Sequence, residues 1–197
     1  TIAANISVAG ISINAGYTGT ITQSGSFTVT VGSSHYSQAD GTFTGGSGAI
    51  AITGTYTQSG GTFTSTSGTL TIGASLISET TIFTLSGGTF NHNSGTVSFV
   101  PSPGSCANQA YTVDVLTSLT LYNIVYNSPG GCSSYGTLTT ASGDTIIAAN
   151  DFTFTSGILY GTWEIQGNVA IGTTAAGGTG TLTMTGTGSK TYTYGAS

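Results

Sequence analysis

Three stretches of this sequence are copies of one another. Tyr36 to Ile52 reads YSQADGTFTGGSGAIAI, Tyr56 to Ile72 reads YTQSGGTFTSTSGTLTI, and Phe83 to Phe99 reads FTLSGGTFNHNSGTVSF. Each keeps an aromatic start, a Gly-Thr-Phe centre, and a Ser-Gly pair before an apolar-x-apolar close. The apolar anchors fall seven residues apart: Tyr36, Phe43, Ile50; Tyr56, Phe63, Leu70; Phe83, Phe90, Val97. Such a repeat constrains the architecture more than any other feature, because one unit buries its apolar face only against its neighbours.

Seven residues are too few for a capped helix and enough for a strand of about four residues with a tight turn. Three such sides close one coil, the stretch from Tyr36 to Tyr56. The next step, Tyr56 to Phe83, is longer by seven positions, which is one coil plus either a fourth side or an outward loop around Ser78-Glu79-Thr80. Short alternating strands continue elsewhere, at Ile11/Ile13, Phe27/Val29, Leu119/Leu121, Phe152/Phe154, Trp163/Ile165, Val169/Ile171, Leu182/Met184 and Tyr192/Tyr194. No segment carries a helical period.

The pattern predicts an all-β, parallel β-solenoid of three-sided coils, residues 1–197 forming one array. Tyr36, Phe43, Tyr56, Phe63, Phe83 and Phe90 are its expected stacked core. At ~20 residues per coil and ~4.8 Å per rung, the chain would make roughly nine or ten coils and a rod of ~45 Å. An antiparallel β-sandwich is the alternative, since it too has many short strands and turn signals; the seven-residue metre argues against it.

The pattern breaks at 101–135, which holds all three prolines and both cysteines. Cys106 and Cys132 are separated by a little over one coil, and an even cysteine count in a chain otherwise poor in reactive side chains predicts a disulfide in an oxidising compartment.

Composition narrows the function classes. Gly, Ser and Thr make up about half of the 197 residues, and six acidic residues face one basic residue, Lys190, for a net charge of −5. Nucleic acid is excluded as a partner, because phosphate binding needs clustered Lys and Arg. Attraction to anionic lipid fails likewise, and no apolar run is long enough to insert in a membrane. Disorder is opposed by the 37% hydrophobic and 10% aromatic content. The sequence shows no charged n-region with an apolar h-region, so Thr1 reads as a mature or excised start.

At Ser86 to Phe99 (SGGTFNHNSGTVSF), followed by Leu121-Tyr122-Asn123-Ile124, the sequence resembles the repeats of large β-solenoid proteins of bacterial cell surfaces; Thr185 to Tyr194 (TGTGSKTYTY) is similar to a recurring segment of the same proteins. The resemblance covers most of the chain and implies an extracellular, adhesin-like or filament-like role. It brings no catalytic residues, and the cysteines are not part of it.

The residues themselves offer little chemistry. Asp40, Glu79, Asp114, Asp144, Asp151 and Glu164 are scattered at one per coil or fewer, with no Arg to hold an acidic sugar, which argues against a polysaccharide-cleaving or polysaccharide-binding β-helix. Asp144 and Asp151 are the only close pair and read as turn residues. His35 and His92 lack ligand neighbours for a metal, and Gly177-Gly178-Thr179-Gly180 lacks the Lys of a phosphate loop. No enzyme and no cofactor is expected.

Ice binding is the sharper alternative. Thr-x-Thr recurs at Thr28/Thr30, Thr42/Thr44, Thr62/Thr64, Thr69/Thr71, Thr153/Thr155 and Thr181/Thr183. Against it, Thr falls on all three sides of the coil, as β-branched filling of outward strand positions would place it. The expected partner is another copy of the chain, joined end to end, because both ends read as uncapped repeat strands. Asn5-Ile6-Ser7 is the only N-glycosylation acceptor, and surface glycans would add solubility.

Overall fold

The computed structural model describes residues 1–104, 108–128, 130 and 135–195. Among these residues there is no helix; the chain winds through 23 short strands that stack in parallel. Turns one to four comprise β1 (Ile6–Val8), β2 (Ile11–Ile13), β3 (Thr20–Thr22); β4 (Val29–Val31), β5 (Tyr36–Gln38), β6 (Thr42–Thr44); β7 (Ile50–Ile52), β8 (Tyr56–Gln58), β9 (Thr62–Thr64); and β10 (Thr69–Ile72), β11 (Thr80–Leu85), β12 (Thr89–Asn91). Turns five to eight comprise β13 (Thr96–Phe99), β14 (Gln109–Val115), β15 (Ser118–Leu121); β16 (Asn123–Asn127), β17 (Gly136–Thr140), β18 (Thr145–Ala148); β19 (Phe152–Leu159), β20 (Thr162–Ile165); and β21 (Val169–Ala176), β22 (Thr181–Met184). β23 (Tyr192–Tyr194) opens a ninth turn.

The sides follow from the metre. Within one sequence copy Tyr36 lies on side 2, Phe43 on side 3 and Ile50 on side 1, so each seven-residue step is one side of the coil. β19 and β21 each bend around a corner and serve sides 1 and 2, joining them into one 15-stranded sheet. Side 3 consists of two four-stranded sheets, β3-β6-β9-β12 and β15-β18-β20-β22, with no pairing between β12 and β15. The fold is a β-solenoid and not a sandwich.

Eight turns replace the nine or ten expected. Along side 1 the step between paired residues is short from Phe152 to Val169 and much longer from Ile124 to Phe152, so the coils do not keep the length of the sequence repeat. Tyr56 pairs directly with Phe83, so the extra residues between them form an outward loop between β10 and β11 and not a fourth side. At ~4.8 Å per rung the stack is about 38 Å long. Phe27 also departs from expectation. It ends a turn begun at Ser24 and stays exposed, leaving Val29 and Val31 as the inward pair of β4.

Most strands have one to three inward side chains, and these form a single core from Ile13 to Val169. Corners between sides are held by residues that tolerate positive φ. Gly61 (φ 66°) is the clearest: a Cβ there would collide with the Gly41 carbonyl oxygen of the rung below, so only glycine allows the rungs to approach.

Candidate functional site

The interior holds the aromatic residues of the repeat as two columns. On side 2, Tyr36 stacks on Tyr56 (ring centroids 5.2 Å apart) and Tyr56 on Phe83 (4.6 Å). On side 3, Phe43 stacks on Phe63 (5.0 Å) and Phe63 on Phe90 (5.4 Å). The columns meet edge to face, as between Tyr56 and Phe63 (5.1 Å, 75°).

A buried glutamine accompanies each tyrosine, a feature the sequence reading missed. Tyr36 Oη donates to Gln38 Oε1 (2.8 Å) and Tyr56 Oη to Gln58 Oε1 (2.7 Å). Gln58 Nε2 then donates to the carbonyls of Gly60 (3.2 Å), Gly61 (3.2 Å) and Thr89 (3.1 Å), and Gln38 repeats the arrangement one rung below. In the third copy Phe83 and Leu85 replace Tyr and Gln together, in register with Tyr56 and Gln58. The signal was legible as parity: two residues separated by one on a strand face the same way. Burial pushes the hydroxyls of Tyr36, Tyr56 and Tyr126 well above the ordinary tyrosine value.

The upper turns carry a different ladder, at the corner leading into side 1. Asn150 Nδ2 donates to Asn123 Oδ1 (2.8 Å), the Asn168 amide and Nδ2 both donate to Asp151 Oδ1 (3.0 and 2.9 Å), and the Thr191 amide donates to Asn168 Oδ1 (3.0 Å). Asp151 is thereby a corner residue. Asp144 is another, its Oδ2 accepting the Val115 amide (2.7 Å), and Asp40 accepts the amides of Gly41 (2.9 Å) and Gly16 (3.2 Å). Glu164 accepts from Thr185 and Gln166, and these hydrogen bonds hold its carboxyl below the ordinary value. Among the described residues, no two of these carboxylates converge on a shared hydrogen-bond partner.

His35 (φ 68°) is also a corner residue, its Nδ1 accepting the Thr55 amide (2.9 Å). His92 Nδ1 accepts the Ser94 amide, and its ring stacks on Tyr122 (5.7 Å). Among the described residues no three His, Cys, Asp or Glu side chains gather as metal ligands. Cys106 and Cys132 lie outside the described residues, so their expected pairing does too. Asn5 is exposed; its Oδ1 accepts the Thr28 amide (2.8 Å).

Two surfaces stand out. The first is the outward face of β3, β6, β9 and β12, where Thr20, Thr42, Thr62 and Thr89 form one column in register and Thr22, Thr44, Thr64 and Asn91 form a second. Thr20 and Thr22 were not among the pairs singled out in the sequence, because the first coil departs from the repeat. The other sides present one mixed column each from their strand centres: Ser7, Thr30, Ala51 and Thr71 on side 1, and Ser12, Ser37, Thr57, Thr84 and Asp114 on side 2. The second surface is the pair of stack ends. Val8 and Tyr17 are exposed at one end, and Leu182, Met184, Tyr192 and Tyr194 at the other; the two terminal tyrosines are 66% and 67% exposed. A groove lined by Phe154, Leu159, Ile171, Ala175 and Tyr194 opens beside them.

Comparisons with models of known protein families, with curated proteins and with solved structures find no match to this chain.

Proposed function

We propose that this chain is a structural element of an extracellular surface, a β-solenoid unit of a fibre, sheath or stalk whose copies join end to end. The observation that carries this reading is the state of the two ends. Among the described residues, β1 and β2 at one end of the stack, and β22 and β23 at the other, each pair with a strand on one side only, and apolar side chains stand open beside them. An edge of unpaired donors and acceptors next to an uncovered core is satisfied in one step by the edge of another such stack. A head-to-tail contact of this kind does not close, so it propagates. The extracellular placement rests on the resemblance to cell-surface solenoids and on the acceptor sequence at the exposed Asn5.

Sedimentation velocity across a wide concentration range, with electron microscopy of the same material, tests the assembly. Concentration-dependent growth into rods about as wide as one solenoid is expected, and Tyr192→Lys with Tyr194→Lys should stop it. Further rungs of a longer chain would cover the same edges without any dependence on concentration. A monodisperse monomer at high concentration overturns the reading.

A further inference from the structure

The threonine face of side 3 is a second feature, independent of end-to-end assembly. From its geometry we infer that it is a binding site for ordered water at the surface of ice. Strand filling by β-branched residues does not account for it. The outward strand centres of sides 1 and 2 mix Thr with Ala, Ser and Asp, whereas seven of the eight outward positions on β3, β6, β9 and β12 are Thr.

The face is regular in a way the others are not. Among the described residues every register shift lies in the sheet of sides 1 and 2, at β11/β14, β16/β19 and β19/β21; the four strands of this face pair without a break. Gly41, Gly61 and Gly88, all at positive φ, precede three of the strands and repeat the same corner. The result is a grid of hydroxyls and methyls spaced ~4.8 Å between rungs and roughly 6.6 Å along each strand. The β-branch restricts each Thr at χ1, so the grid is set before any ligand arrives.

The hydroxyls are also free to bind water in that grid. Among the described residues, Thr42, Thr44 and Thr62 spend none on the chain; of the face, only Thr64 Oγ1 is engaged, accepting from Asn91 Nδ2 at 3.4 Å. No charged side chain stands in the two columns, so no ion hydration shell competes with a regular water layer. Aromatic rings, on which a sugar would stack, are absent from the columns as well; the phenylalanines of these strands point inward.

The test is thermal hysteresis and ice-crystal shaping by the purified chain, beside Thr62→Tyr on the face and Thr57→Tyr on side 2, with circular dichroism to show that each variant folds. Wild type and Thr57→Tyr are expected to shape ice, and Thr62→Tyr to lose the activity because one ring breaks the grid at its centre. A folded wild type with no effect on ice overturns the inference. So does equal activity of the two variants, or retention on insoluble polysaccharide without any effect on ice, which would assign the face to a different ligand.

Discussion

Removing the Tyr56 hydroxyl should cost far more than its single hydrogen bond suggests. Gln58 is fully buried, and Tyr56 Oη is the donor to its Oε1. Tyr56→Phe leaves that oxygen desolvated with no donor, a penalty of about 1–3 kcal/mol. Gln58→Leu leaves the phenol without its acceptor and withdraws the donor shared by the Gly60, Gly61 and Thr89 carbonyls, so it should cost about 2–4 kcal/mol. The double variant recreates the pair found one rung higher, Phe83 and Leu85, where no orphaned side-chain group remains among the described residues. It should therefore cost about 1–2 kcal/mol less than the two single changes added together. Urea unfolding followed by circular dichroism measures all four corners of this cycle, provided the m-value stays constant. Single variants that add to within ~0.5 kcal/mol of the double would refute the coupling and, with it, the account of the glutamine as the tyrosine's obligatory partner.

Stability should also fall above pH 10. Tyr36, Tyr56 and Tyr126 are held above the ordinary value of 10.0 in the folded chain, so from pH 10 upward the unfolded chain loses their protons first. Their contribution is complete below pH 10 and declines by about 1.4 kcal/mol per pH unit for each tyrosine above it; denaturant melts from pH 8 to 11.5 measure the slope, and a flat profile would contradict it. The corner glycines should separate by environment. Gly25→Ala (φ 56°, nothing near its Cβ) should cost ~1 kcal/mol, and Gly61→Ala, which meets the rung below, clearly more; equal melting temperatures would remove the argument for close rung approach.

The seven-residue metre made the three sides legible in the sequence itself, because each copy places one apolar anchor per side and the anchors tolerate no slippage. The number of turns was not legible. Residues 73–79 lengthen a coil without contributing an anchor, and the spacing from Tyr56 to Phe83 fits a loop and a further side equally well. Gln38 and Gln58 were passed over for a chemical reason: a polar residue is read as outward unless its parity with the preceding tyrosine is followed. The threonine columns needed the trace of the chain. Thr28/Thr30 and Thr62/Thr64 look alike in sequence, yet only the second pair lies on side 3.

Stacking also predicts where side 3 is weakest. In a linear array each turn is held only by its neighbours, so stability is a sum over turn-to-turn interfaces. Seven such interfaces join the eight turns, and the one between turns four and five is formed on two sides only, since β12 and β15 do not pair. What spans side 3 there is the His92–Tyr122 ring contact beside the sheet ends, with Phe90 and Leu119 still buried behind it. Opening at this seam breaks no strand pairing on side 3, and it leaves two halves that each keep their own ladder, glutamine below and Asn/Asp above. Native-state hydrogen exchange tests this directly: amides of β12 and β15 should exchange faster than those of β9 and β18, one rung further in. Uniform protection along side 3 would mean that the core alone holds the seam, and that the missing strand pairing carries no energetic consequence.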